Sequence, residues 1–237
     1  MAMFALEAED VRKTFGHLTA LAGVTLHVEH GEFLTLFGRN GAGKTTFLKV
    51  AATLVRHTHG KLRIQGVDIR EEPEKARRSI GFLSHNTYLY RDLNPMENLR
   101  FFARLYGLRN PEKRIQLLLD RVGLRRRASD PVRGFSRGLH QRLGIARVML
   151  HDPSLILLDE PYTGLDANAV ETLNQLLDEA SAAGKTIILT THDLEQGLRS
   201  ATRAAILDRG KIVFAASAKD GAIRDAYGAY IRRGVSR

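Results

Sequence analysis

The sequence predicts an α/β protein whose mostly parallel sheet is covered on both faces by helices and interrupted by a helical insert. Three observations carry that expectation: strand-like apolar runs alternate with helix-like ones, a continuous apolar run ends abruptly in two carboxylates, and residues 111–150 have helical periodicity with an excess of arginine. Taken in order, apolar residues at 24–28, 33–37 and 62–64 form short runs separated by turn residues and read as strands. The run GEFLTLF (31–37) passes directly into a glycine-rich turn and then into KTTFLKVAATL, apolar at helical spacing. This is a strand, loop and helix unit. A short strand at 80–83 leads into the loop 85–95, and MENLRFFARLYG reads as a helix from Met96 with Pro95 suited to its start. Residues 111–124 are helical in period, and residues 121–142 hold seven Arg against the single acidic Asp130, which reads as a mostly helical insert with a basic exterior. SLILLDEP then has the continuous apolar character of a parallel strand buried on both faces. A helix at 167–182, the strand KTIILTT, a short helix after His192 and strands around 204–207 and 211–214 follow. The tail 220–237 is expected to be helical in part.

Composition narrows the function classes. At 237 residues with 43% hydrophobic and 26% charged residues, the chain can bury a sizeable core and is expected to form a single domain over 1–237. It has no Cys, which excludes a disulfide framework and a thiolate zinc site. The start MAMFALEAEDVRK lacks the pattern of a signal peptide, and no stretch approaches the ~18 to 20 apolar residues that span a bilayer. A role at a membrane therefore requires spans from another chain. The formal net charge of +10 suits nucleic acid, anionic lipid, phosphate ligands or an acidic partner, and does not choose among them.

Gly38, Arg39, Asn40, Gly41, Ala42, Gly43, Lys44 and Thr45 fit GxxxxGK[ST] between a predicted strand and a predicted helix, the context of a phosphate-binding loop. The glycines let backbone N–H groups wrap phosphate oxygens, and the helix starting near Lys44 points its positive end at the same place. Lys44 is expected to reach the β and γ phosphates of a nucleotide, Thr45 to ligate Mg²⁺ through its hydroxyl and Thr46 to bind the α-phosphate. Asp159 and Glu160 stand at the C-terminal end of the buried strand, the edge where ligands bind in open α/β sheets. Side chains diverge there, so Asp159 is expected to hold Mg²⁺ and Glu160 to orient and deprotonate an attacking water.

FSRGLHQR (135–142), just before LILLDE, resembles the signature motif of ATP-binding cassette (ABC) ATPases, a variant of LSGGQ followed by QR. PYTGLD (161–166) resembles that family's D-loop, and His192 in TTHD falls where the family has its switch histidine. The elements occur in the family's order from Phe4 to about Ala216. The resemblance implies a P-loop NTPase (RecA-like) core with an N-terminal antiparallel β subdomain and a helical subdomain over approximately 86–150. It further implies that two such chains, identical or paralogous, pack head to tail, each ATP lying between one chain's phosphate loop and the other's signature, with Ser136 and Gly138 facing the γ-phosphate, His192 contacting it, and Asp166 coupling the two sites. Phe15 falls where the family stacks an aromatic on adenine; a core Phe is the alternative reading.

Two departures stand out. His85 occupies the position of the Q-loop glutamine, which in the family touches Mg²⁺ and water; an imidazole there is expected to keep that role and add pH sensitivity. Arg137 and Leu139 replace the signature's first glycine after Ser136 and its final glutamine. Residues 84–108 resemble ATPase subunits of the haem exporters of cytochrome c maturation. Tyr88, Tyr90, Phe101 and Phe102 lie where the family docks a coupling helix of its membrane permease, with one Phe expected in the core. The resemblance thus implies a peripheral ATPase on the cytoplasmic face of the membrane, partnered by a transmembrane permease and touching anionic lipid, with no nucleic acid expected. The alternative is an ABC-type ATPase acting on nucleic acid or ribosomes.

Overall fold

The computed structural model describes residues 4–84 and 86–235. The chain opens with two long antiparallel strands, β1 (Leu6–Phe15) and β2 (Leu18–Val28), then passes through β3 (Phe33–Phe37) into helix α1 (Lys44–Ala51). Strands β4 (His59–Ile64) and β5 (Val67–Asp68) pair beside β1, closing a four-stranded antiparallel sheet in the order β2-β1-β4-β5. A short helix α2 (Pro73–Arg77) leads to β6 (Ile80–Leu83), and α3 (Pro95–Leu105), α4 (Glu112–Arg121) and α5 (Arg137–Met149) follow. Strand β7 (Leu155–Asp159), helix α6 (Ala167–Ala182), β8 (Thr186–Thr191), α7 (Leu194–Leu198), β9 (Arg203–Asp208), β10 (Lys211–Ser217) and α8 (Ala222–Val235) complete it. The second sheet has the order β10-β9-β3-β8-β7-β6, parallel except for the antiparallel edge strand β10.

The parallel sheet is buried on both faces, as alternate residues of its strands show. Leu155 and Leu157 of β7 join a core with Leu6, Val24, Phe47 and Leu48, between the two sheets and α1. Ile156 and Leu158, pointing the other way, join Leu99, Leu119, Leu143 and Leu173 of the helices. The helices α3, α4 and α5 thus share one core with a face of the sheet. A small third cluster of Phe37, Leu198, Ile206, Ile223 and Tyr227 seats α7 and α8 beside the end of β3.

Strand β1 is an addition to the sequence reading. Its alternation Leu6, Ala8 breaks before Val11, because Asp10 adopts φ 46° and shifts the register against both neighbours. Helix α3 begins at Pro95, capped by Asn94 in a reciprocal pair: the Glu97 N–H donates to Asn94 Oδ1 and the Asn94 N–H to Glu97 Oε2, both at 2.9 Å. Of the two Phe residues in this helix, Phe102 packs against the core cluster of the helices from its rim, and Phe101 does not join it. Leu99 and Ala103, one turn apart, take the core face, and Phe101 and Phe102 are both half-buried, edge to face at 5.4 Å.

Candidate functional site

The ends of β3, β8 and β7 converge on one edge of the sheet, where Phe37 is opposite Thr191 and Asp159 opposite Thr190. The loop from Gly38 to Gly43 leaves β3 there. Gly41 and Gly43 have φ of 81° and 108°, and a Cβ at Gly38 would lie 2.5 Å from the Leu207 carbonyl oxygen, so the loop accepts only glycine at these points. The α1 N-terminus, capped by Gly43, has no side-chain acceptor and no acidic residue in its first turn. Its first N–H groups are therefore left for an anion. Lys44 is buried, and its Nζ donates to the Gly38 carbonyl at 2.7 Å and lies 3.4 Å from Glu160 Oε1.

Asp159 and Glu160 have separate partners. Asp159, 4% exposed, accepts at Oδ1 from Thr45 Oγ1 (3.0 Å) and from Thr190 Oγ1 (2.8 Å). Glu160 leaves the strand at φ 50°, its N–H donating to the Thr190 carbonyl (3.0 Å) and Oγ1 (3.3 Å). This left-handed turn, costly for a residue with a side chain, aims its carboxylate away from Asp159. Glu160 Oε2 lies 2.9 Å from Nδ1 of the exposed His192, which puts the carboxylate between an ammonium and an imidazole. The sequence alone does not single out Thr190. Its signal is the register of β7 and β8, which a local run of TIILTT does not carry.

A buried carboxylate and a threonine hydroxyl that already touch form a hard oxygen donor set, and such a set suits Mg²⁺. Thr45 and Asp159 would hold it. His85, expected to share that ion, lies outside the described residues. Thr46 is half-buried in the first turn of α1, and Arg39, Asn40 and Gly41 are exposed on the loop's outer rim while Ala42 is buried.

Ser136 and Gly138 stand at the start of α5. Ser136 is exposed and caps α5, its Oγ accepting from the Leu139 N–H at 3.4 Å. A Cβ at Gly138 would meet only Ser136 Oγ at 4.0 Å, so nothing within the chain demands glycine there. The start of α5 is tied to the loop 161–166: Gln141 Nε2 donates to the Pro161 carbonyl at 3.0 Å, and Arg137 lies against Gly164, where a Cβ would meet its Cδ at 2.6 Å. Asp166 caps α6 by accepting from the Ala169 N–H at 2.7 Å and lies 3.6 Å from Arg142, its side chain 73% exposed. Phe15 is 47% exposed under the Lys13 ammonium, 4.6 Å from its ring centroid, so it is not a core residue.

A glycine loop feeding a helix with no side-chain cap, beside two carboxylates on the edge of a parallel sheet, defines a P-loop nucleotide-binding ATPase domain. The ABC transporter family matches residues 21–163, and the chain belongs to that family as an ATP-binding ATPase domain. It is 34% identical over 210 residues to the linearmycin resistance ATP-binding protein LnrL of Bacillus subtilis (strain 168), covering 88% of this chain and 68% of that one. It is 38% identical over 208 residues to the Nod factor export ATP-binding protein I of Cupriavidus pinatubonensis, covering 87% and 64%. The chain thus spans about two thirds of the length of these relatives. Among solved structures it resembles an ATP-binding cassette captured as a dimer in a post-hydrolysis state with ADP and phosphate (28% identity, TM-score 0.84, 91% of this chain and 99% of that one). No helix among the described residues is long and apolar enough to cross a membrane.

Proposed function

We propose that this chain is the ATP-hydrolysing subunit of an exporter, dimerising on ATP and driving translocation through a separate membrane permease from the cytoplasmic face of the membrane. The observation that carries the proposal is the Glu160 carboxylate between Lys44 Nζ and His192 Nδ1, beside the Thr45 and Asp159 pair. Phosphoryl transfer to water needs positioning and charge neutralisation more than covalent chemistry. Lys44 exchanges the Gly38 carbonyl for the β and γ phosphates, and the α1 amides, Thr46 and the loop hold the remaining oxygens. Glu160 accepts the proton of the attacking water, and His192 fixes its other oxygen while facing the γ-phosphate. Mg²⁺, when bound at Thr45 and Asp159, neutralises charge on the phosphates. A second subunit's equivalents of Ser136 and Gly138 close the site from the other side, Asp166 meets that subunit, and Phe15 stacks on adenine.

The exposed Tyr88 and Tyr90, with Phe101 4.7 Å from the Tyr90 ring, offer the permease an aromatic surface on the helical subdomain 86–150. Export is supported by the names of the relatives, resistance to linearmycin and Nod factor export. The resemblance of residues 84–108 to haem-exporter subunits supports haem as one cargo within that class. The basic exterior is weaker support for nucleic acid than its charge suggests. Arg121, Arg125, Arg127 and Arg142 each have a carboxylate within 2.7–3.6 Å.

Replacing Glu160→Gln tests the assignment of the base. Steady-state hydrolysis is expected to fall about 100-fold or more while nucleotide binding persists. Undiminished hydrolysis in that variant overturns it.

A further inference from the structure

Helix α8 lies outside residues 21–163 and has no part in the chemistry above, yet it contacts both loops that perform it. Tyr230 Oη accepts from the N–H of Arg39, in the phosphate loop, at 3.2 Å and donates to Asp208 Oδ1 at 3.2 Å. Three residues earlier, Tyr227 Oη donates to the carbonyl oxygen of His192 at 3.1 Å. Arg224, one more turn back, forms a two-pronged ion pair with Glu195 in α7, three residues beyond His192. The Tyr227 ring is 6% exposed and packs on Phe37, the last residue before Gly38, with centroids 5.1 Å apart. Three successive turns of one helix face thus grip the phosphate loop and the His192 loop.

We propose that α8 is a positioning clamp, in which Tyr230 sets the phosphate loop for nucleotide binding and Tyr227 sets His192 for the hydrolytic step. The proposal rests on the reading of Glu160 and His192 given above. His192 has an exposed side chain, so its place beside Glu160 depends on how its backbone is held. Its carbonyl accepts from the Tyr227 hydroxyl, donated from a ring locked in the third core cluster. The Arg39 N–H lies at the mouth of a loop whose amides must converge on phosphate oxygens, and a hydroxyl fixed by Asp208 holds that end in place. Burial raises both phenols above their ordinary value, with the other tyrosine and Glu160 adding to the effect at Tyr227, so both remain hydrogen-bond donors through the neutral range.

The test is steady-state ATP hydrolysis and equilibrium binding of a fluorescent ATP analogue in the full chain, for wild type, Tyr227→Phe, Tyr230→Phe and Glu160→Gln. Each Phe keeps the ring packing and removes one hydroxyl, so thermal melting reports whether the fold is intact. Tyr227→Phe is expected to lower kcat about fivefold with KM and Kd within about twofold, and Tyr230→Phe to raise KM and Kd about fivefold with kcat within about twofold. Wild-type kcat and KM in both tyrosine variants, with Glu160→Gln inactive, overturn the clamp alone. Changes in kcat and KM that merely track a loss of melting temperature also overturn it, since they mark a structural role. Full hydrolysis by Glu160→Gln overturns the reading of the site on which the clamp depends.

Discussion

Asp159 and Glu160 are neighbours in sequence but not in chemistry. The difference is made at one backbone angle: Asp159 ends a strand, and Glu160 turns out of it at φ 50°. Thr190 serves both, donating its hydroxyl to Asp159 and accepting the Glu160 N–H at the same oxygen. Thr190→Val keeps the shape and removes the hydroxyl, leaving a buried carboxylate oxygen with one donor fewer, at a cost of about 1–3 kcal/mol. Hydrolysis is expected to fall about tenfold with the far-ultraviolet circular dichroism unchanged; a wild-type rate removes Thr190 from the account. The carboxylate pair, Lys44 and the glycine loop were legible in the sequence because their spacing is local. Thr190 was not, since its role depends on β8 lying beside β7, a neighbour relation that no local run encodes.

At the scale of elements, helices and strands with an uninterrupted period were legible almost to their ends, as in β3, β6 and α6. Strand β1 was hidden by the bulge at Asp10, which puts Val11 out of phase with Ala8, and α2 spans only five residues, too few for a helical period to register. The way α5 is moored was also hidden. Arg114 of α4 donates to the carbonyls of Met149 (2.6 Å) and Leu150 (2.5 Å), satisfying the α5 C-terminus. Next to it His151 stacks on Tyr106 at 3.9 Å, and its Nε2 lies 3.0 Å from the Ile80 carbonyl oxygen. Burial pushes the His151 imidazole down to about 4. Because the folded chain holds this group neutral and the unfolded chain protonates it near 6.5, its contribution to stability is complete above about pH 6.5 and is lost as pH falls toward 4, at most about 3 kcal/mol. Denaturant unfolding of wild type and His151→Gln from pH 7 to 4.5 checks this. The difference between them should shrink with acid, and parallel curves contradict it.

At the scale of the whole molecule, the proposed function gives the chain two surfaces for nucleotide. One is the phosphate loop with Lys44, Asp159 and Glu160, and the other is the exposed start of α5 at Ser136 and Gly138, where glycine answers to no contact within the chain. An open glycine at an exposed helix start is explained when a ligand from a second subunit approaches it. The charge of +10 also changes meaning in the folded chain, since several arginines of the insert lie beside carboxylates from α4, α6 and the loop before α6. The central claim is that ATP binds between two copies of these surfaces. Sedimentation of Glu160→Gln with ATP and Mg²⁺, alone and combined with Gly138→Asp, tests it most directly. The account predicts an ATP-dependent dimer for the single variant and a monomer that still binds ATP for the double; a dimer indifferent to Gly138→Asp, or an ATP-loaded monomer in both, contradicts it.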